Sequence, residues 1–323
     1  MGIRIHDVAA RAGVSVATAS RALSGQRGVR AENREKVLLA ARELDYEPNS
    51  LAAALRSRTT HTVGMLVPRI SNPFFATLVE AVENRLQLGR RSLLLTSSHY
   101  DPEAEQSQVR ALLDRRVDAL VMIPCHRERS IEVMTTAAAR VPVVQLDLRV
   151  NGFAGTWVGV DGEAGIAAVV HHLAGRGVTR TAFVGAEPTD SSSQERLDAY
   201  RRLAGGSVLL GDFSRDWGKE AAGRLLEAGS LPEGIVCGND TIALGMLAEL
   251  ARRGVRVPED VRVTGFDDIP YAELGQPSLT TVRQPQEQMA AEAVRVLAAR
   301  LAGEEAPAQR IAISPSLVVR ASG

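Results

Sequence analysis

The sequence has little of the chemistry that extracellular and membrane proteins depend on. Its 323 residues contain only two cysteines, Cys125 and Cys237, which are isolated in the chain and lack the spacing of metal ligands. No apolar run reaches the roughly 18 residues that a membrane span needs. The N-terminus lacks the apolar segment of a signal peptide. We therefore expect a cytoplasmic protein whose thiols are buried in a reducing compartment.

Net charge is also absent, since 38 basic side chains balance 38 acidic ones. The balance is uneven along the chain, however. Residues 1–60 hold ten basic and six acidic side chains, a net charge of +4, and the remainder carries −4. A basic N-terminal segment on an acidic body is typical of a protein that binds nucleic acid.

Residues 5–23 read as two short helices joined by a turn centred on Gly13. Ser15 is placed to cap the second helix by accepting a bond from a backbone N–H. Apolar residues occupy one side of the helix pair. The other side remains free for contacts and carries Val16, Ala17, Thr18, Ser20 and Arg21. This is the pattern of a helix-turn-helix, in which the N-terminal end of the second helix enters a major groove.

A third helix is predicted over residues 30–46, where apolar side chains recur at helical spacing and can close a three-helix core. Pro48 ends it, and Asn49 offers a cap to an Ala- and Leu-rich stretch of about eight residues. A helix that short is marginal alone in water. We expect it to fold only when a symmetry mate and a DNA groove hold it.

Residues 3–60 resemble the headpiece and hinge helix of the LacI/GalR family of bacterial transcription regulators. The resemblance rests on the I-x-D-V-A-x-x-A-G-V-S-x-x-T-x-S-R run, on R-E-K-V and on Y-x-P-N-S-L-A-x-x-L. It implies that Val16, Ala17 and Arg21 face base edges in the major groove, and the Arg21 fork suits guanine. It also implies an apolar wedge at Leu55 in the minor groove. Residues implied near phosphates are Ser15, Thr18, Ser20 and Asn49.

From His61 onward, short apolar runs alternate with helical patterns in two similar passes. The predicted strands are residues 62–68, 92–97, 119–123, 141–146, 156–160, 181–184, 207–210, 234–237, 262–265 and 311–314. The predicted helices are residues 75–88, 103–115, 164–175, 194–203, 217–228, 241–253 and 286–301. Such alternation indicates α/β architecture with two doubly wound lobes of parallel sheet, covered on both faces.

The predicted organisation is therefore a small all-α N-terminal domain followed by a two-lobed α/β domain. The helix-turn-helix headpiece occupies residues 1–47, the hinge helix and linker 48–60, and the effector-binding and dimerisation domain 61–323. Lobe 1 takes about 61–159 and 285–311, and lobe 2 about 160–284 and 312–323. Because no C-terminal heptad segment follows residues 316–320, we expect a dimer.

Parallel sheets bind ligands beyond the carboxyl ends of their strands. Polar and aromatic side chains follow five predicted strands in this way, and Phe213 adds another aromatic face. Together they suit a small polyhydroxylated or heterocyclic ligand, whose hydroxyls pair with Asp and Asn and whose ring stacks on Phe. The candidates are 71–74, Asp147, 191–196, Phe213, 239–240 and 267–268.

The resemblance extends here to the type I periplasmic sugar-binding fold that serves the family as its sensor. It rests on I-S-N-P-F-F, C-G-N-D-x-x-A-L-G and V-T-G-F-D-D-I-P. It implies a small effector, with a sugar or sugar derivative expected, bound between the lobes. The predicted effector-binding residues are Asn72, Phe74, Asp147, Ser192, Arg196, Phe213, Asn239 and Asp267.

We predict a ligand-responsive repressor that binds a pseudo-palindromic operator, with no catalytic residues, metal or cofactor. Two other functions stay open. One is a solute-binding protein or sugar-processing enzyme with the same body fold, against which the headpiece argues. The other is a regulator whose main coeffector is a protein.

Overall fold

The structure, a computed structural model, describes residues 3–23, 28–46, 59–229, 231–304 and 306–323. The chain divides into two compact units, Met1–Thr60 and His61–Gly323. No helix within the described ranges is long and apolar enough to cross a membrane. Cys125 and Cys237 are both buried and free.

The N-terminal unit, called the headpiece below, contains α1 (Ile5–Arg11), α2 (Val16–Leu23) and α3 (Ala31–Glu43). All three helices contribute to one small core built on Val8, Ala19 and Val37, none of which is exposed. An exposed ion pair between Arg11 and Glu43 joins α1 to the end of α3. The predicted three-helix headpiece is confirmed, with α3 ending three residues earlier than its apolar pattern suggested.

The C-terminal unit alternates strands and helices along its length. Its strands are β1 (Thr62–Val67), β2 (Ser92–Ser97), β3 (Ala119–Met122), β4 (Val143–Leu146), β5 (Trp157–Val160), β6 (Thr181–Ala186), β7 (Ser207–Gly211), β8 (Gly234–Cys237), β9 (Arg262–Asp267), β10 (Thr280–Arg283), β11 (Arg310–Ile313) and β12 (Ser316–Val318). Its α-helices are α4 (Pro73–Leu88), α5 (Pro102–Asp114), α6 (Ile131–Ala138), α7 (Gly162–Gly175), α8 (Ser191–Leu203), α9 (Arg215–Glu227), α10 (Asp240–Arg252) and α11 (Gln286–Leu301).

The strands form two six-stranded sheets. Lobe 1 is built on the order β11-β5-β4-β3-β1-β2, and lobe 2 on β12-β10-β9-β8-β6-β7. The strands β1, β3, β8 and β9 are almost completely buried, as expected of strands with helices on both faces. The doubly wound α/β fold predicted from the sequence is confirmed.

Both lobes are discontinuous in sequence. Helix α11 packs against α4 in lobe 1, and β11 pairs with β5 in the first sheet. The chain then crosses back, and β12 pairs antiparallel with β10 in the second sheet. The prediction of wholly parallel sheets is wrong at this edge. Strands β10 and β12 were not predicted, because each is short and mixes polar with apolar residues.

Four helices, α4, α7, α8 and α9, begin two or three residues before their predicted starts. The side chains of Asn72, Asp161 and Asp190 accept bonds from the first backbone N–H groups of α4, α7 and α8. These caps supply partners for donors that lack an intrahelical acceptor. The predicted starts were too late because they rest on the pattern of apolar residues, and the first residues of α8 and α9, for example, are polar.

Helices α9 and α10 approach each other closely through two glycines. A Cβ atom at Gly218 would collide with the carbonyl group of Ile242, and one at Gly245 with the carbonyl group of Arg215. Both obstacles are backbone, which cannot rotate away as a side chain can. The absence of side chains at these two positions therefore sets the spacing of the pair.

We predict that Gly245→Ala destabilises the C-terminal unit by about 2–3 kcal/mol, because the helices must separate to admit the methyl group. Gly223→Ala, also on this helix pair, is the matched control, since no atom lies within 4 Å of a Cβ there. It should be neutral or stabilising by about 0.5–1 kcal/mol through helix propensity. Urea unfolding measures both, and equal effects of the two changes would contradict the close approach.

Candidate functional site

The headpiece presents the start of α2 as its candidate DNA-binding element. The turn before α2 is made by Gly13, whose φ of +65° favours glycine. Ser15 Oγ accepts from the backbone N–H of Thr18 at 3.2 Å and lies 2.9 Å from its hydroxyl. Ser15 therefore has the predicted capping role. The hydroxyl groups of Ser15 and Thr18 are also hydrogen-bonded to each other, so neither is without a partner in the headpiece.

The predicted base-reading residues differ in exposure. Ala17 and Arg21 are exposed, and the Arg21 Nε donates to the carbonyl oxygen of Ala17 at 3.3 Å, which lays the side chain along the helix. Val16 was predicted on the free side, but it is half-buried and packs against the headpiece core. Ser20 is half-buried. The predicted hinge contacts Asn49 and Leu55 lie outside the described residues.

In the C-terminal unit, the carboxyl ends of the strands in the two lobes face one cavity between the lobes. All eight residues predicted to bind the effector line this cavity, although they come from both lobes and from elements far apart in the chain. We call it the inner chamber; its volume is about 20 Å³. Its lining is Asn72, Phe74, Phe75, Tyr100, Asp147, Leu148, Ser192, Arg196, Phe213, Asn239, Asp267 and Gln284.

Three ionisable side chains are among the lining residues of the inner chamber. Asp147, Asp267 and Arg196 are each less than a tenth exposed. Arg196 Nη1 donates to the carbonyl oxygen of Gly238 at 2.8 Å and lies 3.7 Å from Asp267 Oδ1. The guanidinium carbon also lies 3.7 Å from the centre of the Phe266 ring, and Nε has no hydrogen-bond partner within the described structure. These contacts fix the position of Arg196 but leave its Nε–H donor without an acceptor in the described part of the chain.

Burial changes the protonation of both carboxyl groups. It raises the pKa of Asp147 to about 7, against the opposing effect of Arg196. It likewise raises the pKa of Asp267 to about 6, with Arg196 and the Gln284 amide opposing. Since taking a carboxylate out of water disfavours its charged form, both groups gain when a ligand supplies hydroxyl donors.

Four residues of the inner chamber were not predicted: Phe75, Tyr100, Leu148 and Gln284. Gln284 follows the unpredicted strand β10, and its Nε2 donates to Asp267 Oδ1 at 2.8 Å. Its Oε1 is buried without a hydrogen-bond partner among the described residues. Tyr100 follows β2, whose end carried no recognised motif. The rule that ligands lie beyond strand ends would have found both residues had every strand end been considered.

A larger space of about 190 Å³, the outer chamber, shares Tyr100 and Phe213 with the inner one. Arg69 lies over the Tyr100 ring, 5.3 Å from its centre. Asp212 is exposed here, whereas Asp190 is buried. The outer chamber thus combines two aromatic rings with charged groups and extends the space available to a ligand.

Strained backbone concentrates at these strand ends. Asp147, Asp267 and Tyr100 have φ angles of 60°, 119° and 61°, a region that non-glycine residues rarely occupy. Trp157 Nε1 donates to the carbonyl oxygen of Asp147 at 2.9 Å and so holds that turn. The strained turns direct carboxyl and phenol groups into the cleft.

Two of the predicted contacts already cap helices. Asn72 Oδ1 accepts from Phe74 N at 3.1 Å, and Asn239 Oδ1 accepts from Ile242 N at 2.9 Å. Ser192 Oγ donates to Asp190, which caps α8. The side-chain NH2 groups of the two asparagines are therefore the atoms with which they can meet a ligand.

A wider groove of about 820 Å³ lies on lobe 1, where Arg140, Phe153 and Arg300 are among its lining residues. It has no cluster of buried polar groups comparable with that of the inner chamber. Across the described part of the chain, no group of three or more His, Cys, Asp or Glu residues could hold a metal ion. The cleft between the lobes is the better candidate for a specific ligand site.

Comparison with known proteins identifies two family models in the chain. The model for bacterial regulatory proteins of the lacI family matches residues 4–49, and that for a periplasmic binding protein-like domain matches residues 170–323. The HTH-type transcriptional repressor PurR of Vibrio cholerae serotype O1 (strain M66-2) is 30% identical over 98% of this chain and 96% of the relative. The HTH-type transcriptional regulator DegA of Bacillus subtilis (strain 168) is 31% identical over 100% of this chain and 98% of the relative.

Solved structures agree with these matches. The lac repressor dimer bound to operator and the anti-inducer ONPF has a TM-score of 0.91 and 26% identity, covering 100% of this chain and 99% of that one. The transcriptional regulator CelR in complex with cellobiose has a TM-score of 0.75 and 30% identity, covering 99% and 100%. The similarity spans headpiece and body together.

We predict that Asp147→Asn raises the free energy of unfolding of the C-terminal unit by about 2 kcal/mol at pH 7. Between about pH 4 and pH 7 the unfolded chain loses this proton while the folded chain keeps it, so stability falls as pH rises. Asparagine avoids that loss and tolerates a positive φ. The gain should vanish near pH 4 in urea titrations.

Asp212→Asn is the control for this prediction, because it removes the same charge at an exposed position beside the cleft. A gain of equal size from Asp212→Asn would trace the effect to net charge. An Asp147→Asn protein that is no more stable than wild type at pH 7 would show that the carboxyl group is not destabilised by burial.

Proposed function

The chain belongs to the lacI family of bacterial regulatory proteins, and from that premise we propose that it is a transcriptional repressor controlled by a small metabolite. It recognises a specific operator through α2 and binds a sugar or sugar derivative in the cleft between its lobes. It acts in the cytoplasm as a homodimer that places one headpiece on each half of a pseudo-palindromic operator.

The observation that carries the proposal is the convergence of eight dispersed residues on the inner chamber. Two buried carboxyl groups, a buried guanidinium group and two asparagine amides offer both acceptors and donors to hydroxyl groups. The rings of Phe74 and Phe213 offer apolar faces to a sugar ring. A relative in the solved structures was captured with cellobiose, which supports a carbohydrate as the ligand class.

The cleft also provides a physical route for control. A ligand that contacts Asp147 of lobe 1 and Arg196 of lobe 2 binds best to one arrangement of the lobes. It shifts the population toward that arrangement by its difference in affinity for the two. We propose that operator affinity differs between the arrangements, whichever of them the effector favours.

The first prediction concerns DNA. Selection from a random duplex library should yield a preferred operator, and Arg21→Ala should weaken binding to it by about 10- to 100-fold, because a bidentate contact to a base is lost. Binding to random duplex should fall much less. Fluorescence anisotropy at fixed salt measures both affinities.

Arg42→Ala is the matched control, since Arg42 is exposed on α3 of the headpiece and carries the same charge. It should affect specific and random duplexes alike. If wild-type protein prefers no duplex at moderate salt, with or without sugars, the proposed function is wrong. If Arg21→Ala keeps full preference, only the assignment of this contact fails.

The second prediction concerns the effector. In a thermal-shift screen of sugars, sugar acids and nucleobases, a cleft ligand at about 100 times its Kd should raise the unfolding temperature by about 5 °C. Phe213→Ala should at least halve this shift, because the ligand loses a stacking face. Phe153→Ala removes a ring outside the cleft and should leave the shift unchanged.

The screen also separates the alternatives. If no small molecule shifts the midpoint while operator binding is intact, a protein coeffector becomes the better account of regulation. Conversion of a sugar by the purified chain would favour an enzyme, although the relatives named above are transcriptional regulators.

A further inference from the structure

Helix α8 contacts lobe 1 through a face that is not part of the inner chamber. Ser192 and Arg196, four residues apart, share the side that lines the chamber. Ser191 and Glu195 share a neighbouring side, rotated by about 100°. Residues at the start of α8 near this second side, together with Thr189 just before the helix, form hydrogen bonds with loops of lobe 1.

Arg127, in the loop after β3, makes two of these bonds. Its backbone N–H donates to the carbonyl oxygen of Thr189 at 2.9 Å. Its Nη1 donates to Gln194 Oε1 at 2.8 Å. The Gln194 amide is oriented for this role, because its Nε2 donates to Asp198 in the next turn at 2.7 Å.

Two further contacts join the same surfaces. The backbone N–H of Arg149, just beyond β4, donates to Ser191 Oγ at 2.9 Å. Arg310 of β11 lies 3.6 Å from Glu195. Beside them a polar crevice of about 260 Å³ is lined by Arg127, Arg149 and Gln194 among others, so these bonds lie at the edge of the lobe contact rather than in a core.

We propose that the bonds from Arg127 and Arg149 to Thr189, Ser191 and Gln194 form a latch that sets how readily the two lobes change their arrangement, and through it operator affinity. This inference rests on the proposed function and deepens it. The latch residues of α8, Ser191 and Gln194, lie on a different side of the helix from Ser192 and Arg196, and neither lines the inner chamber. Thr189 precedes α8 and borders the outer chamber, and it takes part in the latch through its backbone carbonyl oxygen. A ligand that moves α8 must strain or relieve the latch bonds.

The latch can be loosened and tightened by separate changes. Arg127→Ala removes the bond to Gln194. The double variant Arg127→Cys/Thr189→Cys can replace it by a disulfide, since a backbone hydrogen bond between the two residues places their Cα atoms within the usual span. Reduced, this variant lacks the Arg127 side chain; oxidised, it is locked. Cys125 should not compete, because burial raises the pKa of its thiol to about 12.

The readout is the affinity of the full chain for its selected operator, without any effector. We expect Arg127→Ala and the oxidised double variant to shift operator Kd in opposite directions from wild type, each by at least 3-fold. The reduced double variant should match Arg127→Ala. Adding Gln194→Ala to Arg127→Ala should change little further, because both remove the same bond.

Arg129→Ala removes the same charge at an exposed position two residues away and should leave operator Kd unchanged. The single-cysteine variants control for oxidation. The latch is refuted if the loosened and locked proteins bind operator alike, if both shift in one direction, or if no disulfide forms in the folded chain. A chain that prefers no duplex at all refutes the proposed function instead.

Discussion

The facing strand ends of two mainly parallel sheets take the carboxyl groups of Asp147 and Asp267 out of water together. This shared desolvation is the constraint on which the cleft depends. Arg196 compensates part of this desolvation, since its guanidinium group lies 3.7 Å from Asp267. The same group also donates to the carbonyl oxygen of Gly238 and lies over the Phe266 ring. Full pairing inside the protein would leave nothing for a ligand to gain. Incomplete pairing makes lobe contact responsive to a molecule that brings hydroxyl groups.

The helices around the cleft contribute to the same balance. Asn72, Asp190 and Asn239 cap α4, α8 and α10, so all three helices begin at the cleft. Their N-terminal ends carry partial positive charge, which favours nearby carboxylates. The cap residues therefore have two functions, because they fix the helix starts and also present polar atoms at the site. If the cleft binds the proposed effector, folding and ligand recognition are coupled at these positions.

The sequence predicted most of this arrangement because its strands are continuous apolar runs and their ends carry distinctive polar residues. All eight predicted effector contacts line one chamber, and their role in binding stays a prediction. Gln284 was not predicted, because the strand before it, β10, has no apolar run. Thr280 and Thr281 can be buried in β10 because they form hydrogen bonds with Arg320, Ser322 and Asp240. The partial burial of Val16 was not predicted, because a short helix cannot show by spacing alone how far each of two adjacent sides packs inward. Hydrogen bonds between residues far apart in the chain, such as those of Thr280 and Thr281, leave no pattern in the neighbouring sequence from which they could be predicted.

A regulator of this kind needs lobes that are neither locked nor free. Core packing cannot provide that balance, because close-packed side chains resist small displacements. Hydrogen bonds at the solvent-accessible edge of the lobe contact can provide it, since each contributes only about 1 kcal/mol net and water can replace it. The contacts of Arg127 and Arg149 have this character, whereas the glycine contact between α9 and α10 does not. Under the proposed function, rigid packing within each lobe and exchangeable bonds between the lobes together let a cleft ligand move one lobe against the other.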